Sequence, residues 1–196
     1  MTDEEIAVRL QGLQVGVDRP LTAAVDRTLA RGSVTAVVGD NGVGKTTLLR
    51  TLDGTLAPAG GKIQRPDGLV IHHLPQHAGS GLTGPFNVAD LLRLAGLESL
   101  KHPWIPDPPT PRIDRLSGGQ RQRLIVACAL HAPCDLLLLD EPDQYLDHLA
   151  RCQLFEWLAR PPLGQAVVLV THHAELPPGA DVLQLQPCSQ PAEAET

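Results

Sequence analysis

The segment Gly39-Asp40-Asn41-Gly42-Val43-Gly44-Lys45-Thr46 satisfies every specified position of the phosphate-binding loop pattern G-x-x-x-x-G-K-[ST]. Its flanks stand in the order such a loop requires. SVTAVV, from Ser33 to Val38, is a β-branched run suited to a buried strand, and Thr46 to Leu52 reads as the opening turns of a helix. The glycines let backbone N–H groups from Gly39 to Thr47 turn inward around phosphates, Lys45 adds positive charge near the terminal phosphates, and Thr46 offers a hydroxyl to Mg²⁺. A strand, a glycine loop and a helix start in this order predict an α/β fold that binds a nucleoside triphosphate.

The second constraining segment is DLLLLDEP, from Asp135 to Pro142. Four consecutive leucines make a strand too apolar to face water on either side, as in the interior of a parallel sheet. It ends in two carboxylates. Asp140, where the strand leaves the core, is placed to hold the Mg²⁺ that Thr46 also touches, and Glu141 is the candidate general base for an attacking water.

Between the two segments lies Leu116-Ser117-Gly118-Gly119-Gln120, followed by Arg121-Gln122-Arg123 and the apolar run Leu124 to Leu130. Ser117 is a good N-cap, and a helix start preceded by glycines is a second anion-binding device. With these residues the chain resembles the ATP-binding cassette (ABC) ATPases, whose signature is LSGGQ just upstream of a segment such as LLLLDEP. Gln76 closing VIHHLPQ, the D-loop pair Leu146-Asp147 and His172 after the run Ala166 to Thr171 follow in family order, so the resemblance spans about residues 6–186.

The resemblance implies Mg²⁺-dependent ATP hydrolysis with Glu141, His172 and Lys45 as catalytic residues. Nucleotide contacts would come from Gly39 through Thr47, Gln76, Ser117, Gly118, Gly119, Gln120 and Asp147, and metal contacts from Thr46, Gln76 and Asp140. It further implies a P-loop NTPase fold: a mainly parallel sheet flanked by helices, an N-terminal antiparallel β subdomain, and a shortened helical signature subdomain over about residues 77–131. A single cassette over residues 1–186 would precede a disordered tail, 187–196.

Composition agrees. The 196 residues are 42% hydrophobic and 19% charged, with a net charge of −6, which leaves no basic footprint for nucleic acid. No apolar run reaches the roughly 18 residues of a membrane-spanning helix, and the N-terminus MTDEEIAVRL is no signal peptide. Membrane-spanning parts are therefore expected on permease chains, with this subunit peripheral on the cytoplasmic face. The four cysteines (Cys128, Cys134, Cys152, Cys188) have neither metal-site spacing nor disulfide-scaffold density, and Cys128 falls in an apolar helix.

Ile6, Val8 and Leu10, then Leu13, Val15 and Val17, alternate as half-buried strands do, and Val25 to Leu29 reads as another strand. Asn87 caps an expected helix through Leu94, with Val88, Leu91, Leu92 and Ala95 at helical spacing. His102 to Arg112 contains five prolines and is expected to be an irregular connector. The doublets His72-His73 and His172-His173 cannot readily turn both rings to one ion in a strand, so His72 and His73 are read as solvated. No Phe, Tyr or Trp occurs before Phe86, whereas the family usually stacks an aromatic ring on adenine near the position of Val15 to Val17. Weak discrimination between ATP and GTP is the expectation.

The reading is the ATP-hydrolysing motor subunit of an ABC transporter. It would dimerise with a second cassette on ATP, because in the family the signature helix completes the partner's site, and it would drive separate permease subunits. The alternative is a soluble ATP switch resembling the ABC-F ribosome-associated proteins, which join two cassettes in one chain.

Overall fold

A computed structural model of the chain describes residues 5–188. Two sheets organise it. The larger holds five strands in the order β5-β6-β7-β3-β8, with β3 at Val34–Val38, β5 at Ile71–Leu74, β6 at Leu136–Asp140, β7 at Ala166–Val170 and β8 at Asp181–Gln184. Every pairing in it is parallel. The smaller is antiparallel, in the order β2-β1-β4, from β1 (Ile6–Gln14), β2 (Val25–Ala30) and β4 (Gly60–Gln64). Both expected sheets are therefore present.

Strand parity explains how the leucine run is used. Leu136 and Leu138 point into one apolar cluster with Leu48, Leu49 and Leu52 of helix α1 (Lys45–Leu52). Leu137 and Leu139 point into the other, with Leu124, Val126 and Leu130 of α4 (Gly118–Leu130) and Leu154 and Leu158 of α5 (His148–Leu158). Alternate residues of a strand face opposite sides, so an uninterrupted apolar run is what a strand covered on both faces needs. The neighbouring β7 divides in the same way, Val167 and Leu169 to one side and Ala166, Val168 and Val170 to the other.

The stretch between Gln76 and the signature helix carries a one-turn α2 (Ala78–Gly81), α3 (Val88–Leu94), the proline connector and a 3-10 turn at Ile113–Arg115. Asn87 caps α3 in a complete capping box. Its side chain accepts from the Asp90 N–H at 2.9 Å, and Asp90 accepts from the Asn87 N–H at 3.0 Å. Helix α4 (Gly118–Leu130) begins with the same device built from Ser117 and Gln120, and α5 (His148–Leu158) is capped by Asp147. The proline connector is irregular yet anchored: Trp104 and Ile105 are buried, and the Trp104 indole N–H donates to Gln153 at 2.9 Å.

Three expectations need correction. His73 is not solvated: its register partner in β6 is Leu138, which turns it toward the α1 face, where Nδ1 lies 2.6 Å from Asp53 Oδ2. Burial also holds the His72 imidazole below its ordinary pKa, with the neighbouring His73 adding to the effect. The tail expected to be disordered from residue 187 starts in an ordered arrangement, with Pro187 bridged to Thr22 and the Cys188 N–H donating to the Leu21 carbonyl at 2.7 Å. Its remainder, 189–196, lies outside the described residues. Val17 does not continue the half-buried alternation; it is exposed. Cys128 is partly buried against the core, and burial pushes its thiol up to about 11.

His102 stacks edge-on against Trp104, His131 and Trp157, with ring centroids 5.8, 5.3 and 4.4 Å away. Burial, with His131 close by, lowers its pKa from 6.5 to about 4. A base whose native pKa is depressed is protonated first in the unfolded chain, so native stability falls as pH drops from about 6.5 to about 4. Because the ring is only half buried, the expected loss is on the order of 1–2 kcal/mol. Urea titrations at pH 7 and pH 4.5 should show this component in the native protein and not in His102→Phe.

Candidate functional site

The strand order sets the C-terminal ends of β6, β7 and β3 side by side, and the glycine loop leaves β3 at that edge, where α/β sheets place their ligands. Two loop glycines are required by geometry. Gly39 has φ 151°, and a Cβ there would lie 2.9 Å from the Leu185 carbonyl oxygen. Gly44 has φ 110° at the cap of α1, and a Cβ would press on Thr22 and Val15 at 3.3 Å. Both positions are strained for any L side chain.

The loop encloses a cavity of about 190 Å³ lined by Asn41, Gly42, Gly44, Lys45, Thr46 and Thr47 together with Glu141 and His172. Residues more than a hundred positions apart thus meet at one site. Val43 turns into the core, and Lys45 Nζ donates to the carbonyls of Gly39 at 2.8 Å and Asp40 at 3.1 Å. These are weak partners for a nearly buried ammonium, and phosphate oxygens would be stronger ones.

Glu141 follows β6 with φ 51°, a left-handed conformation that costs a non-glycine residue about 1–2 kcal/mol. Its backbone N–H is held by the Val170 carbonyl at 2.9 Å. Each carboxylate oxygen has a partner: Gln76 Nε2 donates to Oε2 at 2.9 Å, and His172 Nε2 sits 2.7 Å from Oε1. Gln76 lies two residues past the end of β5, so the ends of three neighbouring strands converge on one carboxylate.

Asp140 is 2% exposed, and neither of its oxygens has a hydrogen-bond partner. Burial raises its carboxyl above the ordinary value, and the negative charge of Glu141 pushes the same way; the nearby Thr46 hydroxyl and the His73 and His172 rings oppose them. A buried carboxylate left without partners is costly. A hard divalent cation bound by Asp140 and the Thr46 hydroxyl would remove that cost, so the donor set fits Mg²⁺.

The signature residues stand elsewhere. Ser117, Gly118, Gly119 and Gln120 do not line the loop cavity, and the Ser117 and Gln120 side chains cap α4. Asp147 accepts from the Ala150 N–H at 2.8 Å and pairs with Arg123 at 2.5 Å. Two arrangements escaped the sequence reading. Thr171 donates to the buried Asp143 at 2.5 Å, linking the segment after Glu141 to the strand before His172. Asp53 pairs with His73; burial would raise its carboxyl, but hydrogen bonds from Thr55 and His73 outweigh it and hold it below the usual range. Neither pair has a sequence spacing that announces it.

A phosphate loop, a metal-compatible carboxylate and a glutamate lining the loop cavity on this sheet define a P-loop ATPase of the cassette type. A family model described as ABC transporter matches residues 23–81 and 87–144, and the chain belongs to the ABC transporter family. It is 34% identical over 185 residues to the zinc import ATP-binding protein ZnuC of Marinobacter nauticus, a match covering 90% of this chain and 71% of that one. The Ruegeria pomeroyi ZnuC is 37% identical over 175 residues, covering 84% and 68%. An ABC transporter ATP-binding protein from Pyrococcus furiosus superposes with a TM-score of 0.75 at 25% identity, over 91% of this chain and 96% of that one. The chain is an ATP-hydrolysing, ATP-binding subunit of an ABC transporter, and such subunits work with transmembrane permeases. No helix among the described residues is long and apolar enough to cross a membrane.

The raised Asp140 carboxyl has a definite pH consequence. A carboxyl raised in the native state binds protons there first, so metal-free protein gains stability as pH falls through that titration and loses it as pH rises. Asp140→Asn should remove this component, stabilise the metal-free protein at pH 7 by about 1 kcal/mol, and abolish the gain that Mg²⁺ confers. Differential scanning calorimetry with and without Mg²⁺ reads all three.

The absence of an aromatic ring before Phe86 leads to a second expectation, since the family resemblance puts the base near Val15 to Val17. Val15 is buried beneath Gly44, whereas Val17 is 74% exposed and free to carry a larger side chain. Stacking is worth about 1–3 kcal/mol per base, so ATP and GTP should differ less than about tenfold in affinity. Val17→Tyr should tighten both. Calorimetric titration of each nucleotide measures the difference.

Proposed function

We propose that this subunit hydrolyses Mg·ATP at sites shared between two cassettes and so drives import of a divalent metal, zinc first among candidates, through transmembrane permease subunits. The observation that carries the hydrolytic reading is Glu141, oriented by Gln76 and His172 toward the glycine loop. Backbone N–H groups of Gly39 to Thr47 and the Lys45 ammonium bind the phosphates. Thr46 and Asp140, with Gln76 alongside, would hold Mg²⁺, and the cation would supply positive charge to offset that of the phosphates. Glu141 accepts a proton from water as the water oxygen bonds to the γ-phosphorus and the bond to the β–γ bridging oxygen breaks, releasing ADP and phosphate. His172, bonded to Glu141, holds that carboxylate in place and reaches the γ-phosphate.

The shared-site reading rests on Ser117 to Gln120 standing outside the loop cavity of their own chain. A second cassette would bring its signature helix start, with Ser117 and Gly119 foremost, onto the γ-phosphate held by Lys45, and Asp147 would lie at the seam. The cargo reading rests on the relatives' names, both zinc import proteins. Residues 1–186 would form the cassette, with 77–131 as its reduced helical subdomain receiving the permease on the cytoplasmic face.

Glu141→Gln keeps the shape and removes the basicity, so turnover should fall at least about 10²-fold while ATP binding survives in a closed dimer. Ser117→Arg should abolish hydrolysis and leave nucleotide binding by the isolated subunit intact. Light scattering under ATP, steady-state phosphate release, and zinc uptake into vesicles holding the co-purified permease test the three parts. A concentration-independent ATPase that stays monomeric under ATP refutes sharing.

A further inference from the structure

The wall of the metal site extends beyond the residues assigned above. A second cavity, of about 390 Å³, joins Asp140, Thr46 and Gln76 to Arg50, Asp53, Thr55, Pro75 and His73. Strand register explains the company. His73 pairs with Leu138 in β6, and Asp140 lies two residues further along the same strand, so both side chains face α1, whose start carries Thr46 and whose end carries Asp53.

Within that cavity His73 is held by Asp53. Its Nδ1 lies 2.6 Å from Asp53 Oδ2, and the two side chains are 15% and 13% exposed. Asp53 cannot rotate away, because its Oδ1 accepts from the Thr55 N–H at 2.8 Å and the Thr55 hydroxyl at 2.7 Å. A carboxylate facing Nδ1 keeps a proton on that nitrogen, so whenever the ring carries a single proton Nε2 is the acceptor. Nε2 is buried and has no hydrogen-bond partner, the same condition as both oxygens of Asp140.

An acceptor fixed in orientation, buried, unpartnered and sharing a cavity with orphaned metal-binding oxygens calls for a donor that arrives with the metal. We propose that the Asp53–His73 pair is an outer layer of the Mg²⁺ site: His73 Nε2 accepts a hydrogen bond from a water carried by the cation, and Asp53 sets the ring's tautomer and direction. His73 is a positioning residue that touches neither nucleotide nor reacting atoms. Groups hydrogen-bonded to a metal's ligands, one layer out from the ion, typically change metal affinity 10- to 100-fold when removed. The proposal rests on the reading of Thr46 and Asp140 as metal ligands.

The test uses the full chain with Mn²⁺ as the probe for Mg²⁺ and a non-hydrolysable ATP analogue, with free Mn²⁺ followed by electron paramagnetic resonance. His73→Phe should weaken Mn²⁺ binding about tenfold while leaving analogue affinity in chelator unchanged, and His73→Gln, which keeps an acceptor, should recover most of the loss. Asp53→Asn is the second variant and preserves packing. Its amide N–H₂ turned to Nδ1 forces the proton onto Nε2, so the acceptor becomes a donor and Mn²⁺ affinity should fall as in His73→Phe. The ¹⁵N shift of His73 Nε2 should report that proton directly. Unchanged Mn²⁺ affinity in all three variants, with a lower metal-free Tm, would overturn the proposal and leave the pair a clamp between α1 and β5. Asp140→Asn serves as the control: retained Mn²⁺ affinity there would bring down the metal-site reading itself.

Discussion

One carboxylate at the end of one strand governs this structure. Strand β6 is buried along its whole length, so the sheet must cover it on both faces, and the polar group at its tip, Asp140, is taken out of water with it. Burying an ionised group without partners is among the costlier things a fold can do, and it persists here because the apolar strand behind it is satisfied so completely. The chain stores at that point an unmet demand for positive charge. The Thr46 hydroxyl, at the start of α1, lies beside that carboxylate and lines the glycine-loop cavity as well.

The remaining chemistry is arranged by strand order. Placing β6, β7 and β3 next to one another brings Glu141, His172 and the glycine loop to one rim, although each belongs to a different part of the chain. Glu141 takes a left-handed backbone conformation at that rim and is held by Gln76 and His172 together. A side chain clamped from two sides would suit the base proposed above, since its geometry exists before substrate arrives. The signature helix start faces elsewhere, its own capping needs met within the chain by Ser117 and Gln120. A phosphate recruited to it would add to an already formed cap.

The proline-rich stretch shows how a shortened connection is kept in place without regular structure. Five prolines exclude a helix between His102 and Arg112, yet Trp104 and Ile105 are buried and the indole N–H is satisfied by Gln153. Aromatic burial and the indole hydrogen bond anchor it at one end, and the Val88 and Ala89 N–H groups, donating to the Pro111 and Pro109 carbonyls at 3.0 Å, tie down the other. Its stability thereby becomes tied to the protonation of His102, which those rings surround.

What the sequence determined by itself is everything encoded by local pattern. The glycine loop announces its strand and helix, the leucine run requires a strand covered on both sides and ends in Asp140 and Glu141, Asn87 and Ser117 mark helix starts, and His172 is picked out by the family resemblance. Tertiary structure decided which face each side chain received and what it met there. His73 looked solvated because a lone strand shows no preferred face; pairing with Leu138 turned it toward α1, where Asp53, distant in sequence, was waiting. The Thr171–Asp143 bond arose the same way, from a strand and a loop that only sheet order makes neighbours. Patterns along a chain encode periodicity and caps, whereas polar pairs across elements depend on register, a property that no single element possesses.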